Sequence, residues 1–198
     1  MKIIDVPQGS PEWFSARLGL PTASNFSQIV TAKGDSSKQR EKYLYKLAGE
    51  IVSGEATETY QSAAMERGII MEEEARAMYA LITGENVTQV GFCIADNGKY
   101  GCSPDGLVGD SGGLEIKCPL AHTHVSYLLK NKLPVEYLQQ VQGSMLVTGR
   151  KWWDFMSYYP GIRPLILRIE RDEDFIESLE NELEAFCGQL AEVVKKIQ

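Results

Sequence analysis

Asp105, Glu115 and Lys117 are two carboxylates and an amine at a spacing that one tight β-hairpin would close. Between them lie Gly109, Asp110, Ser111, Gly112 and Gly113, all turn formers, and Leu114-Glu115-Ile116-Lys117 reads as a short strand. Alternate strand residues share a face, so Glu115 and Lys117 point together while Leu114 and Ile116 point into a core. A hairpin centred on Ser111 sets Asp105 opposite Lys117 and diagonal to Glu115, roughly 7–8 Å away. Two hard oxygen ligands at that spacing suit Mg²⁺ or Mn²⁺, with the Ile116 carbonyl on the same strand edge as a further ligand. Such an ion activates a water and neutralises charge building on phosphate oxygens, while the Lys117 ammonium orients the water and stabilises the transition state. The chemistry implied is metal-assisted phosphodiester hydrolysis. A surface hairpin with an ordinary Glu–Lys face would carry the same spacing.

The elements around the hairpin must hold it. Thr88 to Ala95 and Lys99 to Val108 read as strands joined by an Asp96-Asn97-Gly98 turn, which makes the hairpin part of an antiparallel meander. Asp96 is read as a turn former. Lys151–Tyr159 and Leu165–Glu170 extend the sheet, and an amphipathic helix runs from Asp172. Helical spacing also marks Gln39–Val52, 62–82, His122–Lys130 and the segment after Pro134. A polar segment, Ser53 to Gln61, separates the first two. The class is α/β (α+β), with a central mixed sheet flanked by helices and one domain over 1–198.

Three helical segments carry polar groups for such a site. Glu72, Glu73 and Glu74 fan out by about 100° each on a helix, so Glu72, four residues after Gly68, is the one candidate for a third carboxylate. Gln139, Gln140 and Gln142 crowd the helix after Pro134. Ser10-Pro11 starts a short helix ending near Gly19, and Thr22 or Ser24 starts another. With Arg17 nearby, that second start is either an anion site or a plain cap beside a surface charge. His122 and His124, near a helix start, read as surface residues.

Composition narrows the classes. The chain has 198 residues, 43% hydrophobic and 24% charged, and no run approaches the ~20 apolar residues of a membrane span. The opening apolar run is too short for a signal peptide, which predicts a cytoplasmic protein. Four cysteines, 93, 102, 118 and 187, lack the close pairing of a zinc or redox site, and the three on the expected strands read as reduced core residues. A net charge of −7 is not that of a general nucleic-acid binder, but binding needs only a local basic face. Lys33, Lys38, Arg40, Lys42 and Lys46 form one such cluster, and Lys130, Lys132, Arg150 and Lys151 are scattered candidates.

Several separated blocks resemble the phage lambda exonuclease family, the alkaline exonucleases of phage recombination systems. These are Trp13…Arg17-Leu18-Gly19 with Thr22-Ala23-Ser24, Gly68…Glu72, Cys102-Ser103-Pro104-Asp105-Gly106-Leu107, Gly113-Leu114-Glu115-Ile116-Lys117-Cys118-Pro119, Gln140-Val141-Gln142 and Ile169-Glu170-Arg171-Asp172. The central pair is the PD-(D/E)xK pattern of a wider nuclease superfamily, and the family is also described as YqaJ-like viral recombinases. The resemblance implies a restriction-endonuclease-like core and a Mg²⁺-dependent enzyme. Such an enzyme processively degrades one strand of linear double-stranded DNA from its 5′ end and leaves a 3′ strand for annealing. It implies a homotrimeric ring, a phage single-strand annealing protein as partner, and a phage or prophage gene expressed in a bacterial cytoplasm. Carried across, Asp105, Glu115, Lys117 and Glu72 are the catalytic and metal positions, with Ile116, while Arg17, Ser24, Ser103 and Gln140 receive the 5′ phosphate. The anion reading of the N-terminal segment then outweighs the capping one. A related endonuclease and a non-catalytic DNA-end binding module are the alternatives.

Overall fold

The computed structural model describes residues 1–56 and 63–198, the side chains of 63–66 and 69 excepted. In chain order its elements are β1 (Lys2–Ile4), α1 (Pro11–Arg17), α2 (Arg40–Ser53), α3 (Ala63–Thr83), β2 (Val87–Thr88), β3 (Phe92–Ile94), β4 (Gly101–Cys102), β5 (Gly106–Val108), β6 (Gly112–Lys117), α4 (Ala121–Lys130), α5 (Leu138–Thr148), β7 (Trp152–Ser157), β8 (Leu165–Glu170) and α6 (Glu173–Ile197). Short 3-10 helices lie at Ala23–Gln28 and Val135–Tyr137. The expected helices are present. Residues 57–61 of the polar segment expected after α2 lie outside the described residues.

A five-stranded sheet, β2-β5-β6-β7-β8, carries the hairpin, and β1-β3-β4 form a second sheet. The first is mixed: β2, β5 and β6 make the expected antiparallel meander, β6 runs parallel to β7, and β8 returns antiparallel. The central strand is covered on both sides. Leu114 and Ile116 pack with Ala75 and Tyr79 of α3, while Trp153 of β7 packs with Val141 and Met145 of α5.

Two strand details differ from the sequence reading. Gly112 and Gly113 are not turn residues. They sit beside Trp152 and Trp153 in the β6–β7 register, where a Cβ on either would enter an indole ring. The turn is therefore Gly109–Ser111, and the pairing Gly106↔Leu114 and Val108↔Gly112 centres the hairpin on Asp110. Continuing that register places Asp105 opposite Glu115, not opposite Lys117. A one-residue shift of the hairpin centre moves the facing partner by two, from Lys117 to Glu115.

The second difference is larger. The two long strands expected over 88–95 and 99–108 are each broken, and their halves belong to different sheets. Their register is nonetheless continuous, Val87↔Val108 and Thr88↔Leu107 at one end, Cys93↔Cys102 and Ile94↔Gly101 at the other. Between these ends the pair is opened, so 89–92 and 103–106 face each other without forming a ladder. Pro104 has no N–H to give one. Gly91 lies so close under the carbonyls of Ile4 and Val6 that a Cβ could not fit.

Candidate active site

The opened strand pair ends at Asp105, which is half-buried and turns its carboxylate across the hairpin. Asp105 Oδ2 accepts the Ile116 N–H at 2.6 Å. Lys117 gives its carbonyl to Tyr158 N–H on the β7 side. Backbone groups alternate along a strand, so the Ile116 N–H and carbonyl face the opposite edge, where Asp105 sits. Glu115 Oε1 receives both the Lys117 ammonium at 2.6 Å and the Gln140 amide at 2.5 Å. Its other oxygen, Oε2, is buried without a hydrogen-bond partner among the described residues. An orphaned, buried carboxylate oxygen beside a second carboxylate and a free carbonyl edge fits a divalent cation.

The local charge agrees. Burial pushes the Glu115 carboxyl up to about 7 despite Lys117, with Asp105 adding repulsion. Asp105 is raised as well by burial, against Lys117, the Ile116 N–H and Arg76. Burial works against the Lys117 ammonium, but the Glu115 and Asp105 carboxylates outweigh it and raise its pKa. Lys117 therefore stays protonated and acts as a fixed positive charge, not as a base. Its Nζ also lies 5.2 Å from the centre of the Tyr137 ring.

Glu72 reaches the same region from α3. Burial and the Asp105 charge raise it to about 7, while Arg76 and Lys117 oppose the shift. Its Oε1 is bound by Arg76 one turn along the helix. Among the described residues no three Asp, Glu, His or Cys side chains gather closely enough to hold an ion by themselves. The donor set is thus two carboxylates, a carbonyl and waters, with Glu72 set back on Arg76, which suits an ion that keeps several waters. Glu73 and Glu74 are exposed, as expected, though Tyr158 donates to Glu74 at 2.6 Å.

The second group of sequence-marked residues gathers on α1. The Arg17 guanidinium lies 3.9 Å from the centre of the Trp13 ring, and its NH2 reaches the Thr22 hydroxyl at 3.4 Å. Thr22 caps nothing. Its hydroxyl contacts Ser24 at 3.3 Å and accepts from Asn25 at 3.0 Å. The Trp13 indole N–H donates to Ser103 Oγ at 3.0 Å, which ties Ser103 to the same group. The feature is thus a stacked guanidinium beside three hydroxyls, with the Glu50 carboxylate acting on it through charge. Gln140 sits elsewhere, with its amide committed to Glu115.

A cavity of about 1100 Å³ joins the two groups; its wall includes Trp13, Arg17, Thr22, Glu72, Arg76 and Asp105. Other expected residues lie apart. Asp96 is an exposed turn residue bound to the amino terminus at 2.6 Å. His124, read as a surface residue, is fully buried and hydrogen-bonded to Ser157 Oγ and the Arg163 carbonyl. Arg40 is committed to Glu182 and Gln189, which takes it out of the expected basic cluster. Arg150 donates to the carbonyls of Val108, Gly109 and Gly112 and so clamps the hairpin turn. Arg76 and Arg150 were legible in the sequence only as charges; their carbonyl partners carry no side-chain signature.

Comparison with known proteins places the chain among nucleases. The chain is 38% identical to an alkaline exonuclease, LHK-Exo, from Laribacter hongkongensis, covering 95% of this chain and 96% of that one with a TM-score of 0.87. The same enzyme in complex with dAMP matches over the same shares at 38% identity, with a TM-score of 0.86. A phage-related exonuclease from Haemophilus somnus 129PT shares the fold at 14% identity, over 90% of this chain and 96% of that one, with a TM-score of 0.69. No curated protein matches. The profile of the YqaJ-like viral recombinase domain matches residues 12–151. With that profile matched over most of its length and a relative 38% identical over 95% of it, the chain belongs to the YqaJ-like viral recombinase family.

Proposed function

We propose that the chain is a Mg²⁺-dependent exonuclease, with Mn²⁺ as a substitute. It degrades the 5′-ended strand of linear double-stranded DNA processively, releases 5′-mononucleotides and leaves a 3′ single strand for annealing. One observation carries the reading: Arg17 and Thr22 share one cavity wall with Glu72 and with Asp105, the first acid of the hairpin. A phosphate held by Arg17, the Thr22 and Ser24 hydroxyls and Ser103 would fix which phosphodiester reaches the hairpin. Asp105, Glu115 and the Ile116 carbonyl would hold the cation, which supplies an activated water and charge neutralisation when bound. Lys117, kept charged by its two carboxylates, stabilises negative charge as it builds on the phosphate oxygens. Gln140 fixes the rotamer of Glu115. The Laribacter hongkongensis relative is an alkaline exonuclease that has been crystallised with dAMP, a mononucleotide, which supports the same reaction class.

The family resemblance adds a homotrimeric ring around DNA, a phage single-strand annealing protein as partner, one nuclease domain over 1–198 and action in a bacterial cytoplasm. Among the described residues, no helix is long and apolar enough to cross a membrane. The test is a time course on linear duplexes with 5′-phosphate or 5′-hydroxyl ends beside closed circles, with Mg²⁺ or chelator. Phosphorylated linear duplex should shorten from its 5′ ends with Mg²⁺ alone. Cutting of closed circles would instead identify an endonuclease, and binding without turnover would identify an end-binding module.

A further inference from the structure

We infer that Arg76 is a positioning residue for the metal site, holding Glu72 and Asp105 in one frame; this rests on the metal-site reading above. The opened middle of the two long strands leaves backbone groups of 89–91 and 103–105 without a ladder. Side chains from elsewhere bridge the gap in three successive steps. Trp13 Nε1 donates to the Gly91 carbonyl at 3.2 Å and to Ser103 Oγ at 3.0 Å. Gln8 Nε2 donates to the Val90 and Pro104 carbonyls, both at 2.9 Å. Arg76 completes the series. Its Nε donates to the Asp105 carbonyl at 2.9 Å, and the Gln89 amide oxygen, turned towards it, accepts from NH1 at 2.8 Å.

Arg76 differs from the other two bridges in what else it holds. Its NH2 binds Glu72 on α3, so one guanidinium connects the helix acid to the peptide of the hairpin acid. The side chain is only 14% exposed and lines the cavity between the two groups. A planar, forked cation suits this task, because Nε and the two terminal nitrogens can address separate partners at fixed angles. Lysine could supply the charge to Glu72 or the bond to the Asp105 carbonyl, but not both at once. Arg76 directs Nε, NH1 and NH2 each to one of these anchors. It sets where Asp105 and Glu72 stand when an ion arrives, as outer partners do for metal ligands generally.

The experiment is a calorimetric titration of Mn²⁺ into the wild-type protein, Arg76→Ala, Arg76→Lys, Glu72→Ala and the Glu72→Ala/Arg76→Ala double variant, with thermal melts of each. Arg76→Ala should weaken Mn²⁺ binding by about 10–100-fold, the usual range for loss of an outer partner. Arg76→Lys should recover part of that loss. The Arg76→Ala factor should be smaller in the Glu72→Ala background, because the two residues act as a unit. Unchanged Mn²⁺ affinity in a folded Arg76→Ala protein would overturn the inference. So would the same factor with and without Glu72. If Arg76→Ala does not fold, Arg76→Lys decides: wild-type Mn²⁺ affinity in that variant overturns the inference. A wild-type protein that takes up no Mn²⁺ would overturn the metal site itself, and this inference with it.

Discussion

Asp105 and Ile116 are joined by a 2.6 Å hydrogen bond from the Ile116 N–H to the Asp105 carboxylate. One arm of the hairpin is thereby tied to the backbone of the other, at the strand that presents Glu115 and Lys117. The bond does three things. It fixes the Asp105 rotamer by committing Oδ2, and it leaves Oδ1 as the oxygen that can face an ion. It also consumes the Ile116 N–H, a strand-edge donor that β5 begins too late to pair.

Asp105→Asn should therefore separate stability from activity. The amide oxygen can still accept the Ile116 N–H, but the negative charge is gone. Burial makes charge on Asp105 unfavourable without metal, and that charge in turn raises Glu72 and Glu115. The variant should melt at or above the wild-type temperature in chelator. It should lose the extra stability that Mg²⁺ confers, and nuclease activity should fall by at least ~100-fold. Wild-type stabilisation by Mg²⁺ in this variant would mean that the ion binds elsewhere.

The same acids predict how stability follows pH. Glu72 and Glu115 stand at about 7 in the folded, metal-free protein against an ordinary 4.5. A raised carboxyl binds its proton more tightly when folded than unfolded. These two groups therefore favour folding at low pH and lose that contribution as pH rises from about 4.5 to 7. A divalent ion reverses the penalty by pairing with the ionised forms. The rise in Tm on adding Mg²⁺ should be larger at pH 8 than at pH 5.5. Melts across that window, with Mg²⁺ and with chelator, check it; an equal rise at both ends would remove the raised acids from the metal site.

Much of this site was legible in the sequence because short-range chemistry determines it. The Glu115-x-Lys117 face, the Ser10-Pro11 helix start and the α6 start at Asp172 each depend on neighbours a few residues away. The hairpin centre was not legible. Gly112 and Gly113 look like turn residues until Trp152 and Trp153, far along the chain, are placed over them. The opening of the long strands was hidden for a related reason. Their alternation continues in register through the gap, and only Gln8, Trp13 and Arg76 reveal that the ladder is replaced there. His124 was misread because its partners, Ser157 and the Arg163 carbonyl, arrive from β7 and the loop beyond it.

Gly113→Ala tests the strand register directly. Its added methyl would enter the Trp153 ring, which is fully buried between β6 and α5. The indole cannot move without disturbing Val141 and Met145, so the methyl acts as overpacking. Urea unfolding should show a loss of about 1–3 kcal/mol or more. Gly109→Ala probes the turn instead. Gly109 has a φ of 49° with open space around it, so strain alone should make that change the milder of the two. A larger loss at Gly109 than at Gly113 would contradict the packing described.

Arg17→Ala should change which ends are cut without disabling the cutting groups. The guanidinium is held flat on Trp13 and reaches the Thr22 hydroxyl, so its stack fixes it beside hydroxyl groups that can share an anion with it. Burial lowers its pKa, which marks a cation partly stripped of water and ready to gain from a phosphate. A charge-assisted hydrogen bond contributes about 1.5–3 kcal/mol, so preference for 5′-phosphate over 5′-hydroxyl ends should fall by roughly 10–100-fold. Arg17→Lys keeps the charge but loses the planar fork and the stack on Trp13, and should sit between the two. Initial rates on matched duplexes, with Mn²⁺ affinity measured alongside, provide the check. Equal loss on both kinds of end, or a weakened Mn²⁺ site, would make Arg17 a support for α1 and not a receptor for the strand end.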